Sequence, residues 1–511
     1  MCCTTLTSEA LANLVHRKVE EEKGRRNSSE RRRASGATSA AKRSVTVRFA
    51  IVSSMDHLVD DSESLFTNNL LSTGPSSLGT RDNGNNDARR GAGIFGTIFL
   101  IVNTTLGAGL LNFPQAFDKA GGVGTSVVAQ LGFLVLITAA LVILASCSNS
   151  TGTDTMQDTF AGLCGSKSLA FCGICVAIYS FGCCLTFLII VGDQFDRVFA
   201  TYYGLDYCHT WYLSRPFVTA VSCSIFILPL CFFKRLDVLS YASSVGCVTI
   251  VYVVWLIVYK SFTVQDGTVP PIKIWPNNGY EVLQIIPIIC FAYQCHMTAI
   301  PTYACMKERN LCKFTLCAVI SMLICYGTYS VIGYFGYATF GSGKVPSDIL
   351  QGYTDKSAMV TVAIIAIAVK NFTTYPIVLY CGRDALLGIF DVSLDRIGVR
   401  VIVTLIWFAL SLIIAILVPD ISPVINLMGS LSAMFIFMLP GICLMQSVFL
   451  SDPELYFNKN RLLVVFAIFL TALGAFVCGV VFMEALQDLQ KTPVKPPLVT
   501  GFRQFRESLC V

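Results

Sequence analysis

Apolar side chains follow one another along most of this chain in runs of 18 to 31 residues, without the alternation typical of a β-strand. Eleven such runs occupy residues 94–118, 123–147, 168–198, 216–233, 238–262, 281–305, 314–340, 357–381, 398–418, 423–450 and 461–484. Each can cross the roughly 30 Å of hydrocarbon in a bilayer as a helix that rises about 1.5 Å per residue. Only helices and closed barrels satisfy their own backbone in lipid, and unalternating runs argue against a barrel. We therefore predict an all-α polytopic membrane protein with eleven transmembrane helices.

Charge divides the chain into three predicted parts. Charged residues make up 14% of the 511 residues, against about 25% in a soluble domain, and 25 of the 69 lie in residues 1–92. We predict that residues 1–92 form a disordered basic tail, that 93–485 form the helical domain and that 486–511 form a short extracytosolic tail. The tail's cluster Lys23–Arg33 can contact anionic lipid. We expect a monomer in the bilayer that binds no nucleic acid.

The positions of Lys and Arg residues orient the predicted helices. With the N-terminus in the cytosol, the tails and loops place 25 of these residues inside and 11 outside. Because inner loops carry the excess of basic residues, we predict a cytosolic N-terminus. An odd number of helices then puts the C-terminal tail on the opposite side.

Two of the runs are interrupted where a simple anchor would be continuous. The first contains Asn103-Thr104-Thr105-Leu106-Gly107-Ala108-Gly109 and then Pro114, and the sixth contains Phe291–His296 between Pro287 and Pro301. Glycine and proline weaken a helix, and unwound backbone at membrane depth is tolerated where it lines a cavity. Broken helices in the first and sixth positions are typical of an inverted repeat of five plus five helices with a site between them. The alternative is a pair of kinks used for packing.

Unwound backbone at these breaks predicts a site for a zwitterion. Free amides at the start of a half-helix favour a carboxylate, and the carbonyls freed on the other half can coordinate a cation. We therefore expect a small amino acid as substrate and a sodium ion or a proton as the coupling ion, with no other cofactor. The predicted substrate-binding residues are Thr105, Gly107, Ala108, Gly109, Phe291, Ala292 and Tyr293. The predicted ion-coupling residues are Asn103, Thr373, Thr374 and Lys370, with sodium at Asn103 and Thr374.

Lys370 is the one basic residue that falls in the middle of an apolar run. An ionisable side chain there costs about 2.5–3.5 kcal/mol on insertion scales. One hypothesis is a surrogate cation whose ammonium lies at or beside the position of sodium, so that coupling passes to protons or is absent. The alternatives are snorkelling and a structural pair with a carboxylate. For His296 we weigh a pH sensor against a hydrogen-bonded structural imidazole. We interpret Asp193 and Asp196 as gate or vestibule charges.

These segments resemble a known family, the sodium-coupled neutral amino acid transporters of the amino acid/auxin permease superfamily. The resemblance covers about residues 90–485, and its motifs are Ile101–Pro114, Ile189–Gln194, Phe291–His296, Thr374-Tyr375-Pro376 and Cys381-Gly382-Arg383. It is closest to the seventh and eighth members, of the lysosomal glutamine exporter type.

The resemblance implies eleven helices in the leucine-transporter arrangement. It also implies secondary active symport of glutamine- or asparagine-like neutral amino acids by alternating access, in a lysosomal or plasma membrane. The family's sodium site maps to Asn103 and Thr374. Lys370 replaces the small or polar residue expected at its position, so that sodium coupling and proton coupling both stay open.

Three other classes of protein are considered. The segment Asp395–Arg400 looks like the loop signature of major-facilitator transporters. An ion channel or an amino-acid-sensing receptor of the same fold would bind an amino acid without carrying it. A membrane enzyme is disfavoured, because the sequence has no Walker loop, no HExxH motif and no paired intramembrane aspartates.

Overall fold

The computed structural model describes residues 93–203, 211–232, 237–263, 271–353, 357–390, 397–418, 421–455 and 457–490. Most of these residues are helical. In chain order the α-helices are α1 Ile94–Thr105, α2 Phe113–Lys119, α3 Val123–Thr151, α4 Met156–Cys164, α5 Lys167–Tyr203, α6 Arg215–Cys231, α7 Asp237–Thr263, α8 Gly279–Leu283, α9 Ile286–Ala292, α10 His296–Ala304, α11 Leu311–Phe340, α12 Ile349–Gly352, α13 Ala358–Ile389, α14 Ile397–Leu417, α15 Ser422–Ala433, α16 Leu439–Ser451 and α17 Asn458–Gln490. The predicted tail 1–92 lies outside the described residues, as do residues 491–511 of the predicted C-terminal tail.

The all-helical membrane architecture predicted from the sequence is confirmed. Within the described ranges, nine helical stretches are long and apolar enough to cross a membrane, and the bent pair of α1 and α2 makes ten. The predicted number of eleven is not confirmed, because α6 has only 17 residues. At 1.5 Å per residue such a helix spans about 26 Å, slightly less than the hydrocarbon layer.

Local sequence explains where several helices begin and end. Gly152 ends α3 in the left-handed conformation, with φ of 70°. The short helix α4 follows between the second and third predicted runs, outside all eleven of them. It begins at Thr155, whose hydroxyl accepts the N–H of Asp158 at 3.2 Å, and this is the usual capping of a free amide by a threonine. The tenth predicted helix also differs, since a π-helical turn, Met434–Met438, interrupts it between α15 and α16.

Helix α11 packs against both halves of the first broken helix. Gly333 of α11 faces Phe117 of α2 so closely that an added Cβ would lie 2.5 Å from the ring. Further along, the hydroxyl of Ser321 donates to the carbonyl oxygen of Ile98 at 3.2 Å. Contacts on both α1 and α2 thus hold the two halves of the broken helix against one continuous neighbour.

The connection between α11 and α13, residues 341–353, is held against α2 by hydrogen bonds. The N–H of Gly343 donates to a carboxylate oxygen of Asp118 at 2.9 Å, and the amide of Asn112 donates to the carbonyl of Ser347 at 2.9 Å. A third tie joins this connection to α5, where Gln194 donates to Asp348 at 2.5 Å. Residues 341–353 therefore lie across the ends of α2 and α5.

Candidate functional site

The first broken helix unwinds at Leu106 and Gly107. Helix α1 ends at Thr105, Leu106 has φ of −74° and ψ of 71°, and Gly107 has φ of −101° and ψ of −146°. A 3₁₀ turn, Ala108–Asn112, then leads into α2, and the two halves meet at an angle of 56°. The amides at the start of a helical turn have no acceptor within it, so this break exposes donors in the middle of the bundle.

The second break joins α9 to α10 through Tyr293, Gln294 and Cys295. It lies beside the first break, and Tyr329 of α11 connects them. The Tyr329 hydroxyl is 2.8 Å from the carbonyl oxygen of Thr105 and 2.9 Å from that of Ala292. Both carbonyls lie at the end of a half-helix, and the hydroxyl hydrogen is shared between them. The Thr105 carbonyl also accepts the N–H of Gly107 at 2.7 Å.

Gly107 and Gly109 have different surroundings. A Cβ at Gly109 would lie 2.8 Å from the Cβ of Ala292 and 2.9 Å from its Cα, so Gly109 serves the close packing of the two breaks. A Cβ at Gly107 would meet no heavy atom nearer than the carbonyl oxygen of Thr105 at 3.9 Å. Of the two, Gly107 is the position where the backbone borders open space.

Lys370 lies at the first break. Its side chain is 6% exposed, and Nζ donates to the carbonyl oxygen of Leu106 at 2.5 Å. The ammonium therefore points into the bundle, which argues against snorkelling. Within the described part of the chain no carboxylate lies within ion-pair distance of Lys370, so a structural pair with a carboxylate also lacks support.

Asn103 approaches Lys370 through a gap that a glycine leaves open. A Cβ at Gly246 of α7 would lie 3.3 Å from Oδ1 of Asn103 and 3.4 Å from Cγ of Lys370. The next residue, Cys247, contacts the same Asn103 oxygen through its thiol at 3.7 Å. Helices α1, α7 and α13 therefore converge around Gly246, with the amide oxygen of Asn103 and the side chain of Lys370 both beside this glycine.

Thr373 and Thr374 are partly engaged elsewhere. Both hydroxyls donate to the carbonyl oxygen of Lys370 at 2.8 Å. Their hydroxyl hydrogens are thus used within α13, while the oxygen lone pairs remain able to accept a hydrogen bond or a cation.

The remaining predicted substrate residues border the breaks. Phe291, Ala292 and Tyr293 are all buried, and the hydroxyl of Tyr293 has no hydrogen-bond partner. Thr105 donates to the carbonyl oxygen of Ile101 at 2.7 Å. For Ala108 only the backbone is described, as the first residue of the 3₁₀ turn.

His296 and Asp193 have definite partners. The ring nitrogens of His296 lie 3.2 Å from Oε1 of Gln294 and 3.3 Å from the carbonyl oxygen of Ile137, which favours the structural imidazole over the pH sensor. Asp193 forms an ion pair with Arg215 at 2.9 Å, at the end of α5 near residues 341–353.

Sequence reasoning missed three members of this region. The carbonyl of Leu106 is a backbone group, and Gly246 and Tyr329 lie in runs that otherwise read as plain membrane helices. The only available signals are a glycine in the fifth run and a tyrosine in the seventh, and neither is specific.

The bundle and its two adjacent breaks define a membrane transporter of the leucine-transporter-like architecture. Among solved structures, the chain is similar to the manganese transporter of Eremococcus coleocola, with a TM-score of 0.50 and 10% sequence identity, over 81% of this chain and 90% of that one. That likeness concerns the fold alone.

Sequence comparison identifies the family. Residues 90–487 match the family described as transmembrane amino acid transporter protein, and the chain belongs to this family. It is 35% identical to sodium-coupled neutral amino acid transporter 7 of Danio rerio, over 80% of this chain and 91% of that protein. It is 36% identical to the protein of the same name in Homo sapiens, over 75% of this chain and 86% of that one. This family membership contradicts the major-facilitator alternative.

Proposed function

We propose that this protein carries a neutral amino acid of the glutamine or asparagine type by alternating access, and that the ammonium of Lys370 takes the part of a coupling sodium ion. The observation that carries the proposal is the hydrogen bond from Lys370 to the carbonyl of Leu106. It puts a fixed positive charge at the break of the first helix. The names of the relatives support the substrate class.

The substrate would lie beside Gly107. Its carboxylate would accept from the amides at the start of the 3₁₀ turn Ala108–Asn112, where the helix dipole also favours a negative charge. The open space at Gly107 leaves room for such an approach. The buried and unpartnered hydroxyl of Tyr293 offers a further polar contact, which a substrate with a polar side chain can use.

A tethered ammonium changes the coupling. Sodium bound at this position would link the carbonyl of Leu106 to Asn103 and Thr374, and it would leave the protein in each cycle. Lys370 supplies the same unit charge, and it cannot dissociate. Uptake would therefore be independent of sodium, and any coupling would pass through a proton.

The test is uptake of labelled glutamine into proteoliposomes, with sodium replaced by choline and with the pH gradient varied separately. The wild type is expected to transport equally with and without sodium. Lys370→Ala is expected to lose most uptake or to become responsive to sodium. Strict sodium dependence of the wild type would contradict the surrogate-cation part of the proposal.

A surface lysine provides the matched control. Lys313 forms an exposed ion pair with Glu308 at 2.6 Å, so Lys313→Ala removes the same charge far from the breaks. It should leave uptake and its ion response unchanged. Countertransport of unlabelled against labelled glutamine separates a carrier from the channel and receptor alternatives, since a channel shows no exchange and a receptor shows no flux.

We also propose a cytosolic N-terminus, with 25 basic residues on the inner side against 11 on the outer side, in a lysosomal or plasma membrane. Epitope tags at the two ends, probed before and after permeabilisation, test this orientation. The other proposals are a monomer that is not an enzyme, and contact of the basic cluster Lys23–Arg33 with anionic lipid.

A further inference from the structure

Arg383 is a buried cation outside the transport site. Arg383 lies near the end of α13 and is only 1% exposed. Its NH1 group donates to the hydroxyl of Thr404 at 2.5 Å and to the carbonyl oxygen of Cys231 at 3.4 Å. Both acceptors are formally neutral. Its Nε is buried and has no hydrogen-bond partner.

Arg400 adds a second positive charge at the same place. It lies four residues before Thr404 on α14, so the two side chains share one helical face. Arg400 is close enough to Arg383 for the two charges to repel each other, and its Nε is also buried without a partner. The pair therefore presents two guanidinium groups with unused donors.

Acids within the described ranges neutralise this pair only in part. Neither arginine has a carboxylate within ion-pair distance there. Asp384, the next residue after Arg383, attracts it from a greater distance, but Asp384 is exposed and also lies near Asp158 of α4. The carbonyl of Cys231 ends α6, and the end of a helix supplies only about half a negative charge. Because a buried charge is costly unless it is paired, two adjacent cations with free donors indicate a missing anion.

The depth of the pair indicates the chemistry of that anion. Helix α13 has 32 residues and is about 48 Å long, so it extends beyond the roughly 30 Å of hydrocarbon at its ends. Arg383 lies six residues before the last residue of α13, or about 9 Å along the axis. That distance puts it near the boundary where the phosphate groups of lipids lie. Arginine pairs also match phosphate well, because each guanidinium can donate two parallel hydrogen bonds.

We propose that Arg383 and Arg400 form a binding site for a phosphate group, between α6, α13 and α14. The phosphate would enter beside the half-buried Arg400 and would accept from the unused donors of both guanidinium groups. The headgroup of an anionic lipid and free inorganic phosphate share this chemistry. Since α13 also carries Lys370, the site joins a membrane-surface ligand to the helix that reaches the transport site.

The test uses the purified full-length protein in micelles of an uncharged maltoside detergent, which contains no phosphate. Thermal unfolding is followed with three additions, which are inorganic phosphate, a water-soluble short-chain phosphoinositide and a short-chain diacylglycerol as the uncharged comparison without phosphate. A ligand that binds the folded state raises the unfolding temperature. We expect the phosphoinositide to raise it by about 2 °C or more and the diacylglycerol to leave it unchanged. A shift with inorganic phosphate as well would assign the site to any phosphate, and a shift with the lipid alone would assign it to a headgroup.

Substitutions connect the shift to the two arginines. Arg383→Gln and Arg400→Gln are each expected to weaken binding at least about tenfold, which corresponds to the loss of one charged hydrogen-bonded pair. Arg309→Gln is the control, because Arg309 already pairs with Asp154 at 2.7 Å on an exposed surface. This variant retains the basic N-terminal tail and should bind as the wild type does. If Arg383→Gln fails to fold, the half-buried Arg400 still supplies the test. Absence of any phosphate-dependent shift in the wild type, or equal shifts in Arg400→Gln and the wild type, would overturn the proposal.

Discussion

Tyr329 ties the two broken helices together, and Tyr329→Phe tests whether this tie matters for transport. The substitution removes one hydroxyl and keeps the ring, which stacks on Phe113 with 4.3 Å between centroids. The carbonyls of Thr105 and Ala292 then lose a donor at 2.8 and 2.9 Å. The Thr105 carbonyl keeps the N–H of Gly107 at 2.7 Å, so the cost falls on the carbonyl of Ala292. Leaving a buried acceptor unsatisfied costs about 1–3 kcal/mol.

Loss of the Tyr329 hydroxyl also affects the equilibrium between the conformations of the transporter. If the hydroxyl bond exists only while both breaks are in the present arrangement, its removal shifts the equilibrium between conformations by about 5–150-fold. We expect a lower unfolding temperature and an altered initial rate of glutamine uptake in proteoliposomes. Tyr337→Phe is the control on the same helix, because the Tyr337 hydroxyl accepts the N–H of Lys273 at 3.0 Å, away from both breaks.

The two variants must differ in transport for the reasoning to hold. Tyr337→Phe is expected to lower stability while uptake per folded molecule stays near the wild-type rate. Wild-type stability and uptake in Tyr329→Phe would show that the shared hydrogen bond contributes nothing. An equal loss of uptake in both variants would show that the effect is one of general stability.

Two further predictions concern packing and pH. Gly109→Ala should destabilise the protein by about 1–3 kcal/mol, because the added Cβ would lie 2.8 Å from that of Ala292. Gly107→Ala should unfold at the wild-type temperature but should reduce glutamine uptake. Equal unfolding temperatures for both variants would contradict this contrast. Burial, and next the nearby charge of Asp193, raise the pKa of Asp348 to about 7. The folded protein then holds a proton that the unfolded chain releases near pH 4. The contribution of Asp348 to the free energy of unfolding is therefore greatest below pH 4, falls by about 1.4 kcal/mol per pH unit between pH 4 and 7 and is constant above pH 7. Asp348→Asn should flatten this dependence in unfolding measurements from pH 5 to 8, and an unchanged slope would show that another group titrates.

Much of the architecture could be read from the sequence because membrane helices are encoded locally. The length of each apolar run sets the span, and glycine, proline and polar residues mark the breaks near Gly107 and Tyr293. The shorter features escaped this reasoning. Helix α4 lies in a segment that composition alone describes as a loop, and the π-helical turn Met434–Met438 leaves no mark in an apolar run. The predicted number of eleven spans depends on α6, whose 17 residues are close to the shortest length at which a helix can cross the bilayer.

The sequence by itself determined that the chain lies in a bilayer, that its first and sixth helices are broken, and that Lys370 is the one basic residue in the middle of an apolar run. These properties depend on residue type and on spacing along the chain. Only the tertiary structure decided that the Lys370 ammonium reaches the carbonyl of Leu106, and that Gly109 packs against a neighbour while Gly107 borders open space. The physical reason is that every residue carries a backbone carbonyl. Which one accepts a given donor depends on the packing of distant helices.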